Sequence, residues 1–174
     1  MLDSALTPAP NQSDRESVRI RVRGKFLFAG ENKLYIRGVT YGTFHPNETG
    51  AQFPPQQRVD QDFQEMSASG VNAVRVYTTP PVWLLDIALQ HGLRVMVGLP
   101  WEQHIAFLDQ AGLPKAIEQR VREAVLQSAN HPAVLCYVVG NEIPASIVRW
   151  HGRRRIERFI RRLYRAVKAE CQET

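Results

Sequence analysis

Val18, Ile20 and Val22 alternate with arginines, the two-residue period of a strand exposed on one face. Gly24 and the run Ala29-Gly30-Glu31-Asn32 supply turn chemistry. This stretch predicts short antiparallel strands feeding a more buried strand over 34–40. Beyond it the apolar period lengthens. After Phe53-Pro54-Pro55, Val59, Phe63 and Met66 recur at i, i+4 and i+7 and stop at Gly70, which predicts a helix. Residues 71–78 (VNAVRVYT) return to a strand. Pro80-Pro81 starts a second helix, carrying Trp83, Leu84, Ile87 and Ala88 and ended by Gly92. Residues 93–99 (LRVMVGL) read as a third strand. Pro114 opens a third helix with Ile117, Val121, Ala124 and Val125 on one face. Residues 133–139 (AVLCYVV) form a fourth strand. A fourth helix over 153–169 buries Ile156, Phe159, Ile160, Leu163, Tyr164 and Val167.

Four strand-then-helix units argue for an α/β fold with a parallel sheet and right-handed crossovers. Such a sheet either stays open and doubly wound or closes into a barrel. Glycine-rich phosphate loops favour the first, and neither GxGxxG nor GxxxxGK[ST] occurs. The 174 residues suffice to bury the core of one domain. They fall short of the roughly 250 that a complete eight-fold barrel needs. Residues 1–17 are polar with two prolines and read as a flexible tail, leaving 18–174 as the folded part.

Composition narrows the class. With 44% hydrophobic and 22% charged residues the chain is globular and not disordered. Its two cysteines make no disulfide framework, and neither CxxC nor Cys/His ligand spacing occurs, so no metal site is expected. The first 17 residues have neither the basic start nor the apolar core of a secretory signal. No run approaches the roughly 18 apolar residues of a membrane span. The compartment is not legible from this. The net charge of +5 is one local feature: residues 149–168 hold eight Arg and one Lys against Glu157 alone. This stripe reads as the solvated outer face of a helix. No aromatic is interleaved among the exposed charges, so no nucleic-acid partner is expected.

Functional groups of parallel α/β folds gather at the C-terminal ends of the strands. Those ends carry His45 after the first strand, Arg75 and Tyr77 on the second, Trp101, Glu102 and His104 after the third, and Asn141 and Glu142 after the fourth. A carboxylate just past an apolar strand suits a general acid, since burial there raises its pKa. The plain alternative is a solvent-exposed loop carboxylate. Asn141 both donates and accepts hydrogen bonds, as a sugar hydroxyl requires. Arg75 shares a face with Ala73 and Tyr77. If that face is interior, the guanidinium needs a carboxylate partner, in a site or in a structural ion pair. Trp101 offers a flat surface for a sugar ring or packs as a core aromatic. Glu102 and His104 are polar site groups or solvated loop residues. His131 before Pro132 suits a turn better than a metal.

Three stretches together resemble the clan A glycoside hydrolases, most closely glycoside hydrolase family 2. Gly24-Lys25-Phe26 through Leu34-Tyr35-Ile36-Arg37-Gly38-Val39 resembles the family's opening hairpin and first barrel strand. Gly70-Val71-Asn72-Ala73-Val74-Arg75 resembles its second strand. Asn130-His131-Pro132-Ala133-Val134, running into Gly140-Asn141-Glu142, resembles its fourth. The resemblance implies the first half, (βα)4, of a (β/α)8 TIM barrel, preceded by a short β-hairpin and truncated before the fifth strand. It implies a retaining two-carboxylate hydrolysis or transglycosylation of O-glycosidic bonds in a β-linked carbohydrate, without a cofactor. Glu142 falls where the family has its general acid/base. Asn141 falls where it binds the hydroxyl beside the reacting carbon, and Arg75 where it steadies the nucleophilic carboxylate. Tyr77, Trp101, Glu102 and His104 are further candidates for substrate contact. The family's nucleophile ends the seventh strand, which this chain does not reach, so the rest of the barrel is expected in a parent protein. The chain also resembles bacterial envelope proteins in which such a barrel is fused to a processive glycosyltransferase. The alternative reading is therefore a non-catalytic carbohydrate-binding or regulatory half-barrel, as part of a glucan-synthesising fusion.

Overall fold

The computed structural model describes residues 19–48 and 50–171. The expected tail at 1–17 lies outside the described residues. Strands β1 (Ile20–Arg23), β2 (Phe26–Ala29) and β3 (Asn32–Leu34) form an antiparallel meander. A second sheet holds β4 (Gly38–Thr40), β5 (Ala73–Val76), β6 (Arg94–Gly98) and β7 (Val134–Val138), all parallel. Helices α1 (Gln56–Ala68), α2 (Val82–Gln90) and α3 (Leu113–Ser128) connect its strands. After β7 come α4 (Ala145–His151) and α5 (Arg153–Glu170). No helix among the described residues is long and apolar enough to cross a membrane.

The order β4-β5-β6-β7 follows the sequence without reversal. A doubly wound sheet reverses its strand order at a switch point, whereas a barrel adds each strand beside the last. The sheet is therefore four consecutive staves of a barrel.

Alternation then divides the sheet's two faces. Val74 and Val76 of β5 and Val95 and Val97 of β6 are buried. They pack with Val59 and Phe63 of α1 and Leu84, Leu85 and Ala88 of α2. A second cluster joins Ile117, Val121 and Val125 of α3 to Ile156, Phe159 and Leu163 of α5, with Leu99, Trp101 and Phe107 from the loop after β6. The opposite face carries Arg75, Met96 and Cys136, all half-buried. Helices thus cover the outer face, and the inner face opens toward the barrel axis.

The meander sits at the N-terminal ends of the parallel strands. Asn72, just before β5, accepts the Arg37 backbone N–H at 2.7 Å and donates to the Tyr35 carbonyl at 2.8 Å. Arg19 donates to Asn130 Oδ1 at 2.9 Å, ahead of β7. The other end of the sheet, where the candidate residues lie, stays open.

Two expectations need correction, and one element is added. The single buried strand over 34–40 is two strands in two sheets, and Gly38, Val39 and Thr40 are exposed. The reason is position: β4 pairs only with β5 and has a free edge. Tyr164 is 53% exposed instead of buried. It shares an open groove with Val139, Ile156 and Ile160 on the flank of α5 beyond β7, the other free edge. The short helix α4 is an addition to the expected elements. It is split from α5 by Gly152 at φ +81°, a conformation that glycine adopts without strain. Trp150 ties α4 to the loop after β6 through Asp109, with Nε1 2.5 Å from Oδ2.

Gly98 sets how closely β5 and β6 approach at the open end. A Cβ there would lie 2.7 Å from the Val76 carbonyl oxygen and 2.8 Å from Tyr77 Cα. Both neighbours are backbone, so neither yields without moving the strand that carries Arg75. Gly98→Ala is expected to cost about 1–3 kcal/mol by overpacking, read as a lower urea midpoint. An unchanged midpoint would show that the strands have slack there.

Candidate functional site

The C-terminal ends of β5, β6 and β7 converge on Asn141. Arg75, in register with Thr40 of β4 and Met96 of β6, points from the inner face. Its Nη2 donates to Asn141 Oδ1 at 2.5 Å. Its Cζ lies 4.6 Å from the Tyr77 ring centroid, so the guanidinium also rests on an aromatic face. The expected carboxylate partner is replaced among the described residues by this amide. Arg75 Nε is buried and has no hydrogen-bond partner among them. A buried N–H in that state calls for an acceptor from outside the described residues.

The chain leaves β7 at Val138, whose carbonyl takes the last ladder bond, from Leu99 N–H at 3.1 Å. Side chains of the loop after β6 hold the segment from Val139 to Asn141. Trp101 Nε1 donates to the Val139 carbonyl at 2.9 Å. Gln103 Oε1 accepts the Asn141 backbone N–H at 2.8 Å. Glu142 comes next with φ +51°, the left-handed region that side-chain-bearing residues avoid. Such a conformation costs on the order of 1–3 kcal/mol and persists where surrounding bonds impose it, often at functional sites. The Glu142 side chain is exposed, which matches the plain loop alternative more closely than burial past the strand.

Arg75, Tyr77 and Asn141 are thus brought together, with Glu142 adjoining. Trp101 is only 8% exposed and packs edge-on against Phe107 at 4.8 Å and Phe159 at 5.6 Å. It backs the Gly140 segment as a core aromatic. Glu102 turns to the outer layer and pairs with Arg120 of α3. His104 is exposed on the loop and His45 lies on the loop after β4. His131 serves a turn, its Nδ1 accepting the Ala133 N–H at 3.2 Å. Gln103 is the site residue that sequence reasoning missed. It stands between two candidates, and no periodicity in a loop marks which of three consecutive polar residues turns inward.

Beside this cluster lies a pocket of about 170 Å³ lined by Tyr41, Phe44, Phe53, Tyr77 and Thr78. Tyr41 is buried against Phe44 and Phe63, with ring centroids 4.9 and 5.0 Å away. Its hydroxyl donates to Asp62 Oδ2 at 2.8 Å, while Arg58 holds Asp62 Oδ1 at 2.9 Å. Burial first, then the hydrogen bond to Asp62 and that carboxylate's charge, push the Tyr41 phenol well above its ordinary value of 10.0.

Comparison with known proteins bears on the fold as a whole. Residues 20–170 match the family described as "Glycosyl hydrolases family 2, TIM barrel domain". Among solved structures, the chain is similar to a Bacteroides uniformis beta-glucuronidase, at 20% identity and TM-score 0.67, over 88% of this chain and 19% of that one. It is similar to Saccharomyces cerevisiae Gas2p in complex with laminaripentaose, at 18% identity and TM-score 0.62, over 92% of this chain and 38% of that one. A Ruminococcus gnavus β-glucuronidase in complex with D-glucuronic acid matches at 14% identity and TM-score 0.63, over 88% and 25%. At these identities the likeness is one of fold. The chain spans well under half the length of each of these structures.

The raised Tyr41 value makes a pH prediction. A phenol whose folded pKa exceeds its unfolded one binds its proton more tightly when folded. Its contribution is complete below about pH 10 and is lost as pH climbs toward the raised value. Tyr41→Phe should therefore flatten the fall in melting temperature above pH 10, leaving a residual slope from Tyr137, whose phenol burial also raises. Equal slopes in both proteins would contradict the assignment.

Proposed function

Since this chain belongs to the glycosyl hydrolases family 2, TIM barrel domain family, we propose that it supplies the acid/base half of a retaining glycosidase site. The observation that carries the reading is the position of Asn141-Glu142. The pair directly follows the fourth parallel strand, with Asn141 bonded to Arg75 on the second.

In a retaining enzyme two carboxyl groups stand about 5–5.5 Å apart across the scissile bond. Glu142 protonates the departing glycosidic oxygen and then, as carboxylate, takes a proton from the incoming water or sugar hydroxyl. Asn141 contacts the hydroxyl beside the reacting carbon through its side-chain amide. The Asn141 Oδ1 is engaged by Arg75, so its NH₂ group is the donor left for the sugar. The second carboxylate, the nucleophile, comes from a seventh strand outside this chain. Arg75 Nε, buried and unpartnered among the described residues, supports a carboxylate arriving at that point. The substrate is a β-linked carbohydrate bound in the open end of the barrel, beside Tyr77. The reaction needs no cofactor: proton transfer and covalent catalysis by two carboxylates account for it.

In the full-length parent protein, Glu142→Gln should lower kcat for unactivated β-glycosides by orders of magnitude while circular dichroism and melting temperature stay put. Full activity in that variant would remove Glu142 from the mechanism. The purified 174-residue chain should show no turnover of aryl β-glycosides, because it carries one carboxylate of the pair. Robust turnover would show that the second carboxylate lies within it.

A further inference from the structure

Gln103 carries no charge and lies between the candidates Glu102 and His104, yet it makes the bond that fixes the site's backbone. Its partner is a backbone N–H, which only donates, so the atom facing it is the amide oxygen. That bond falls at the first residue before Glu142. The same loop grips the chain at a second point, where Trp101 Nε1 meets the Val139 carbonyl. Gly140 lies between the two grips, and a Cβ there would stand 3.9 Å from both Gln103 Oε1 and Trp101 Cζ2. Arg75 takes the Asn141 side chain from β5, two strands along the sheet from β7. Asn141 is thereby held through its main chain by Gln103 and through its side chain by Arg75. The chain then turns into Glu142 at φ +51°.

We propose that Gln103 is a positioning residue for Glu142. Its amide oxygen holds the Asn141 peptide, which imposes the left-handed turn and so sets the direction of the Glu142 carboxylate. The inference rests on the reading of Glu142 as acid/base. It predicts that Gln103 acts on turnover through geometry, without touching the reacting atoms. A shift of about 1 Å in a catalytic group costs about 100-fold in rate. An acceptor at position 103 is the required feature, so a carboxylate should serve where a methyl group fails.

Gln103→Leu and Gln103→Glu distinguish these roles in two measurements. In the 174-residue chain, amide exchange by NMR should speed up at Asn141 about tenfold in Gln103→Leu, the scale of one hydrogen bond, and return toward the parent rate in Gln103→Glu. Glu142 backbone shifts should leave the left-handed range in the first variant and recover in the second. In the full-length protein, Gln103→Leu should lower kcat about 100-fold with KM unchanged, and Gln103→Glu should restore most of it. Unchanged Asn141 exchange and unchanged kcat in Gln103→Leu would overturn the role of Gln103 and leave Glu142 standing. Loss in both variants would also overturn it, since an acceptor would then not be what matters. Full activity of Glu142→Gln, measured alongside, would overturn the acid/base reading itself.

Discussion

Asn141 is where three of the four parallel strands are tied together. It follows β7, its side chain is bonded to Arg75 of β5, and its backbone is bonded to Gln103 of the loop after β6. Both bonds are partly shielded from water, so losing one partner would leave a polar group unsatisfied. The bonds also depend on the sheet beneath them. Arg75 reaches Asn141 only because β5, β6 and β7 lie in sequential order, and because Gly98 lets β6 approach the Val76 and Tyr77 backbone. Glu142, at φ +51°, directly follows this doubly tied residue.

The same sheet is finished on one face and unfinished on the other. Valines of β5 and β6 are sealed under α1 and α2, and a second cluster welds α3 to α5 around Trp101 and Phe107. Facing inward, Arg75, Met96 and Cys136 are only half-buried. Free edges at β4 and β7, and the open groove of Val139, Ile160 and Tyr164, belong to the same picture. A barrel interior is buried by strands across the axis, and four strands cannot supply them. The positive stripe on α5 is partly neutralised from neighbouring elements: Glu118 of α3 takes Arg162, and Asp109 lies 3.6 Å from Arg155. It behaves as a solvated outer helix face.

The sequence disclosed what periodicity and strand ends encode. Val59, Phe63 and Met66 announced α1, the apolar runs announced β5, β6 and β7, the charge within the second run marked Arg75, and the residues just past the fourth were Asn141 and Glu142. Periodicity says nothing about which strand lies at an edge, so exposure of Val39 and Tyr164 was not legible. Trp101 illustrates the limit of residue type: the same indole suits a sugar platform or a core, and only its bond to Val139 and its ring contacts show the second use. Gln103 lay between two other polar candidates, and its bond depends on the Asn141 N–H, 38 positions away, being brought to 2.8 Å by the fold.

The proposed two-carboxylate site stands on Glu142 as its acid/base. The most direct measurement is chemical rescue of Glu142→Ala in the full-length protein, using an activated aryl β-glycoside and azide. With the base removed, azide should attack the covalent glycosyl-enzyme from the face that water normally uses, restoring turnover and giving a glycosyl azide of retained β configuration. A product of inverted configuration would place Glu142 as the nucleophile, and unimpaired turnover without azide would remove it from the mechanism.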